Sequence, residues 1–160
     1  MLPEIERQSS QRFASQAAEA GLSPELMSQT QSVPALLAAN DDGRLWVAAD
    51  ARGELVGFAL VMELGLFAHL EEIDVLPAHG RQGLGSALLE AVCEWAGSRG
   101  FSAVTLSTFR DVAWNAPFYA RRGFAVVPPE ELPPELLEIV ARERQKGLRT
   151  DLRVIMQREV

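Results

Sequence analysis

The 160 residues predict an α/β domain built on a central mixed sheet flanked by helices. Three observations carry that prediction. Strand-length apolar runs at 45–49 and 54–64 are joined by a short turn, the mark of an antiparallel hairpin. A third run, 69–76, passes through a glycine-rich turn into an amphipathic helix and then a run at 103–108, a β-α-β unit that implies parallel neighbours. No repeat, low-complexity block or linker divides the chain, so residues 1–160 are expected to form a single domain.

In chain order, residues 2–21 have helical character and Gly21 is a stop. Ser23-Pro24-Glu25 reads as an N-cap followed by proline at the first helical position, opening a second helix toward Ala39. Asn40, Asp41, Asp42 and Gly43 form a turn cluster. The first two strands follow, linked by Asp50-Ala51-Arg52-Gly53, and the third ends at Pro77. The helix after the glycine-rich turn has apolar residues at 84, 87, 88, 91, 92, 95 and 96, a stripe of helical period, and Gly100 closes it. Strand 103–108, a short helix at 114–122 ended by Gly123, and a strand at 124–127 come next. Prolines 128, 129, 133 and 134 make an extended connector to a helix at 134–146 and a last strand at 152–157.

Composition excludes several functions. No stretch approaches the ~18 consecutive apolar residues of a membrane span, and the N-terminal MLPEIERQSSQRF is charged where a signal peptide needs an apolar core. The single cysteine, Cys93, forms no intrachain disulfide and no zinc cluster, so no metal is expected and a cytoplasmic location is. A net charge of −7 argues against nucleic-acid binding, which depends on neutralising phosphates, and favours a cationic substrate through steering.

The chemistry concentrates in 69–124. Gly83 and Gly85 permit a tight turn and close backbone approach, and the amides of residues 82–87 open a helix, where free donors and the helix dipole favour an anion. A phosphate ligand fits. A dinucleotide fingerprint fails because the sixth position, counted from Gly83, is Leu88; a Walker A loop fails because no Gly-Lys-Ser/Thr follows.

Arg81-Gln82-Gly83-Leu84-Gly85-Ser86, after a strand ending Ile73-Asp74-Val75-Leu76-Pro77, resembles the acetyl-CoA motif of the GCN5-related N-acetyltransferase (GNAT) superfamily. Phe118-Tyr119-Ala120-Arg121-Arg122-Gly123-Phe124 is similar to its second hallmark. The resemblance covers about residues 45–127 and implies a GNAT-like fold whose central parallel pair splays apart. It also implies acetyl-CoA as cosubstrate and direct transfer, in a ternary complex, to a primary amine of a small molecule or peptide. A homodimer is the family analogy. By the same resemblance, Arg81, Gln82, Gly83, Leu84, Gly85 and Ser86 hold the pyrophosphate, and the backbone of Ile73, Asp74 and Val75 pairs with the pantetheine arm. The Val75 amide polarises the thioester carbonyl, and Tyr119, the only tyrosine, protonates the leaving sulfur. The competing reading is a non-catalytic acyl-CoA-binding module.

Three departures stand out. Gly80 occupies a place where the family favours Arg or Gln. Val112 stands where it often has a cofactor-touching Asn, and Asn115 lies only four residues before Tyr119, either contacting cofactor or capping the helix that follows. The usual first strand is missing. The base is left between Glu71, Glu72 and His69, in that order. A regular strand puts His69, Glu71, Ile73 and Val75 on one face and Leu70, Glu72 and Asp74 on the other. Trp114 either lines the acceptor pocket or packs in the core, and Cys93 is expected to be packing.

Overall fold

A computed structural model describes all residues from Met1 to Val160. Its strands are β1 (Leu45–Ala49), β2 (Leu55–Leu64), β3 (Phe67–Val75), β4 (Ala103–Phe109), β5 (Ala125–Val126) and β6 (Arg153–Glu159). They form one sheet in the order β1-β2-β3-β4-β6-β5. Every neighbouring pair is antiparallel except β3 with β4. The helices are α1 (Leu2–Ser10), α2 (Ala17–Ala20), α3 (Pro24–Ser28), α4 (Val33–Asp41), α5 (Leu84–Ser98), α6 (Ala116–Ala120) and α7 (Pro134–Gln145). As the sequence suggests, helices and not a strand precede β1.

The N-terminal helices are more broken than their periodicity implies. Residues 2–21 divide into α1, a 3-10 segment at Gln11–Gln16, and α2, which Gly21 ends at φ 66°. The expected helix from Ser23 toward Ala39 is two helices. Ser23 caps α3, its hydroxyl accepting the Leu26 N–H at 3.2 Å, and Ser32 caps α4 through the Ala35 N–H at 3.3 Å. Pro34 explains the break, because it has no N–H to continue a helix arriving from α3 and is tolerated only near a start. The helix expected at 114–122 contracts to α6.

Helix α5 lies against one face of the sheet. Leu88, Leu89, Val92, Cys93 and Ala96 are its buried residues, so the core stripe includes Leu89 and Cys93 and leaves Ala87 exposed, a rotation from the periodic reading. They join Ala59 and Val61 of β2, Leu70 and Val75 of β3, Val104 and Leu106 of β4, and Met156 of β6. The opposite face carries α1 and α4 over Phe58 and Leu60, and α7 over Ile155.

Two irregularities of β3 shape everything that follows. Leu60 pairs with Glu72 but Val61 pairs with Leu70, so Glu71 is a bulge residue without a partner. The bulge overturns the expected faces. Leu70 lies on the α5 side, as do Ile73 and Val75 beyond it, whereas His69 joins Thr105 on the other side and Glu72 neighbours Asp74 there. The second irregularity is the splay. Pairing of β3 with β4 runs from Phe67↔Ala103 to Leu70↔Leu106 and stops. Beyond it, β3 follows β2 and β4 follows β6. A cleft opens between residues 71–75 and 107–109.

Candidate functional site

Two cavities meet at that cleft. One, of about 440 Å³, runs along the loop before α5 and under α6. The other, of about 320 Å³, lies on the opposite side beneath α1, α3 and α7. Phe13, Ile73, Asp74 and Tyr119 line both. The sheet's splay is therefore the place where contents of the two cavities can touch.

The larger cavity is built for an anion. Gly83 sits at φ 83° and Arg81 at φ 60°, left-handed positions that turn the chain into α5. The N–H groups of residues 81–86 find no acceptor within the chain, and a Cβ at Gly83 would meet nothing within 4 Å, so the cradle is open. Arg12, Arg81, Arg121 and Arg122 surround it. Arg122 is locked in place. Its Nε donates to Ser86 Oγ at 2.9 Å, its Nη1 donates to the Phe118 carbonyl at 2.8 Å, and its guanidinium stacks 3.7 Å over the Phe118 ring. Gly85, Leu84 and Ser86 line the same wall, and Ile73, Asp74 and Val75 form the facing strand edge; Gln82 lies exposed in the turn.

Asn115 precedes α6 but does not cap it with its side chain. Instead its Oδ1 accepts the Thr108 hydroxyl at 2.6 Å, fixing it on the cavity wall. Trp114 lines this cavity and not the smaller one, and it packs on Phe13, ring centres 4.5 Å apart. Cys93 is buried and its thiol is pushed up to about 11, chiefly by burial, which suits packing and not nucleophilic attack.

The smaller cavity holds the proton-transfer candidates. His69 is 4% exposed, with Nδ1 2.9 Å from Thr105 Oγ1. Burial first, then the charges of Arg142 and Arg153, pushes its pKa down to about 4, so it is neutral at pH 7. Glu72 lies well above the usual carboxylate range because of burial, then Asp74 and Glu6. Asp74 is raised to about 6 by burial, with the neighbouring Ser9 and Glu72 opposing the rise, and its Oδ2 has no partner. Glu71, on the bulge, lines the same cavity. Tyr119 is half-buried, and burial with the nearby Glu72 and Asp74 raises its phenol pKa, so it keeps its proton. Tyr119 is held by edge-on contacts to Phe118 and Phe124, at 5.1 and 5.9 Å.

Sequence reasoning missed Glu6. It is 6% exposed, its Oε2 accepts the Gln31 N–H at 2.8 Å, and burial pushes it up to about 7. The only signal was a glutamate beside Ile5 on the buried stripe of α1. Arg12, Phe13, Arg122, Arg142 and Lys146 were missed too; all but Arg122 come from helices that carry no motif.

This geometry, an open amide cradle ringed by arginines beside a carboxylate cluster and a phenol, agrees with the family model described as acetyltransferase (GNAT) family, which matches residues 11–124. The chain belongs to the GNAT family. This GNAT chain is 35% identical, over 86 residues, to the streptothricin acetyltransferase of Streptomyces lavendulae. That match takes in 52% of the chain and 46% of the relative, so it spans about half of each. Among solved structures, the N-acetylglutamate synthase of Neisseria gonorrhoeae, complexed with coenzyme A and N-acetylglutamate, superposes with a TM-score of 0.69 at 19% identity. It covers 99% of this chain and 32% of that one. The PaiA N-acetyltransferase of Thermoplasma acidophilum, in complex with coenzyme A, gives 0.63 at 16% identity, covering 99% and 91%. Both likenesses show the GNAT fold. No helix is long and apolar enough to cross a membrane, and no three His, Cys, Asp or Glu residues are grouped to hold a metal ion.

Proposed function

We propose that this GNAT chain is an acetyl-CoA-dependent N-acetyltransferase that transfers directly, in a ternary complex, to a primary amine on a small molecule or peptide. The observation that carries it is the meeting of two cavities at Phe13, Ile73, Asp74 and Tyr119. One is an anion cradle and the other an acid-lined chamber, and they adjoin where the pairing of β3 with β4 has ended. The free amides of residues 81–86 and the four arginines fit the pyrophosphate and phosphate of coenzyme A, which two structural relatives bind. The strand edge of Ile73, Asp74 and Val75 fits its amide-bearing arm, with Asn115 on the opposing wall. When bound, that group supplies an acetyl thioester.

The residues do the rest. An alkylammonium has a pKa near ~10 and must lose a proton before it can attack. Glu72 takes it, with Asp74 beside it to share the charge. Glu72 is favoured over Glu71 and His69 because its raised pKa narrows the gap to an amine, whereas His69 is a weak base already bonded to Thr105. The Val75 amide donates to the developing oxyanion. Tyr119, still protonated, donates to the departing sulfur. Coenzyme A release, followed with a thiol reagent over a panel of amines, tests this reading. Turnover that Tyr119→Phe reduces at least tenfold supports it. Tight acetyl-CoA binding with no turnover on any amine would instead leave a cofactor-binding module.

A further inference from the structure

The acceptor chamber has two differently charged walls. On the β3 and α1 side stand Glu6, Glu72 and Asp74. Asp74 is 8% exposed, and its Oδ2 accepts no hydrogen bond from the protein. An unpartnered carboxylate oxygen in so buried a place is costly unless a donor arrives. A ligand ammonium, with three N–H donors, is such a donor.

On the α7 side stand Arg142 and Lys146, four residues apart and so on one helical face. Arg142 is in no ion pair and Lys146 in none, whereas the third cation of the chamber, Arg153, is neutralised by Glu143 at 3.0 Å. The one side-chain hydrogen bond Arg142 makes is to Met62 Sδ, at 3.5 Å. Both charges nonetheless reach the chamber: burial lowers His69 and Arg142 adds to that, while Lys146 opposes the rise that burial causes at Glu6. Two unpaired cations from the α7 side therefore line the same chamber as the carboxylates Glu6, Glu71, Glu72 and Asp74.

We infer that the acceptor is a small zwitterion, an amino acid whose amine seats against Asp74 and Glu72 and whose carboxylate is held by Arg142 and Lys146. This rests on the acetyltransferase reading and narrows it. A diamine or polyamine would set its second ammonium against the α7 cations. A neutral monoamine would leave them unengaged. A chamber of about 320 Å³ accommodates an amino acid with a side chain of ordinary size.

The experiment compares kcat/KM for amino acids of several side-chain lengths with their own carboxamides and decarboxylated amines. Wild type is run beside Arg142→Gln, Lys146→Gln and Arg142→Lys, with acetyl-CoA affinity measured for each. The expected result is at least roughly a tenfold preference for the free amino acid, the size of one hydrogen bond to a charged group. Arg142→Gln and Lys146→Gln should each erode that preference through the acceptor KM, with acetyl-CoA affinity unchanged and Arg142→Lys restoring most of it. Decarboxylated amines reacting as well as the amino acids would overturn the acceptor class and leave the acetyltransferase reading standing. A preference that survives both Gln substitutions would overturn the role of α7. Acetyl-CoA binding without turnover of any compound would overturn the acceptor class together with the catalytic reading beneath it.

Discussion

Replacing Glu6 by glutamine removes one buried charge and keeps the shape of the side chain. In the folded protein the Glu6 carboxyl is 6% exposed and titrates at about 7 against an ordinary 4.5. Burial is the main cause, the neighbouring Asp74 adds to it, and the Gln31 N–H and Lys146 oppose it. At ~1.4 kcal/mol per unit, ionising Glu6 in the native state costs on the order of 3 kcal/mol relative to the unfolded chain. Because the native state holds this proton more tightly, the stability it lends is complete below about pH 4.5 and is lost as pH rises through about 7. Glutamine never ionises, and its Oε1 still accepts the Gln31 N–H. The variant and wild type should therefore be nearly equal at pH 4.5, and the variant should be the more stable at pH 8. The gap is up to about 3 kcal/mol, or roughly 6–12 °C in Tm for a chain of this size. His69, lowered to about 4, runs the other way, its contribution present above 6.5 and lost as pH falls, but it is common to both proteins and cancels in the difference. Urea unfolding of both proteins at pH 4.5, 6 and 8 measures the gap. A gap that does not grow with pH, or a variant weaker at pH 8, would show that Glu6 is already ionised and compensated in the fold, refuting the assignment of a costly buried charge.

The same substitution lowers the pKa of Glu72, which Glu6 raises, so the acidic limb of kcat/KM should move to lower pH. In the wild type that limb should fall at pH 6 or above if the Glu72–Asp74 pair is the base, and near 4 if His69 is; a pH-rate profile separates them. Gly83→Ala, forced to φ 83°, should cost about 1–2 kcal/mol and weaken acetyl-CoA binding, read by thermal shift with and without cofactor. Gly57→Ala should destabilise more than an ordinary surface change, because its Cβ would lie 2.8 Å from the Asp74 carbonyl, and should perturb the splay; denaturant unfolding and acetyl-CoA affinity report both effects. Arg153→Met strands Glu143, with side-chain exposures of 13% and 14% for the pair, and should cost about 3–5 kcal/mol by urea unfolding; Arg153→Met with Glu143→Leu should recover most of it.

Local chemistry made much of this legible. The turn at 80–85, the helix after it and Tyr119 are each set by neighbours a few positions away: left-handed glycines, a helical stripe, a strand ended by proline. Ser23 before Pro24 marks a true cap for the same reason. The faces of β3 were not legible in this way. Assigning His69, Glu71 and Val75 to one face assumed a period of 2 throughout β3, and that period belongs to regular pairing with a partner strand. The extra residue at Glu71 is decided by how β2 lies beside β3, and it sends Glu72 and Asp74 to the face that His69 occupies. No count along the strand contains that information.

The sequence by itself determined the order of strands and main helices and the left-handed glycine turn that opens α5, because each is a short-range pattern whose energetics close within one turn or one helix. Tertiary structure alone decided that two cavities meet where β3 parts from β4. It also decided that Glu6 joins the carboxylates and that Arg142 and Lys146 face them. Those residues lie far apart in the chain, and what unites them is the burial of apolar faces on one side of a sheet. That packing carries charges into proximity which no local propensity specifies.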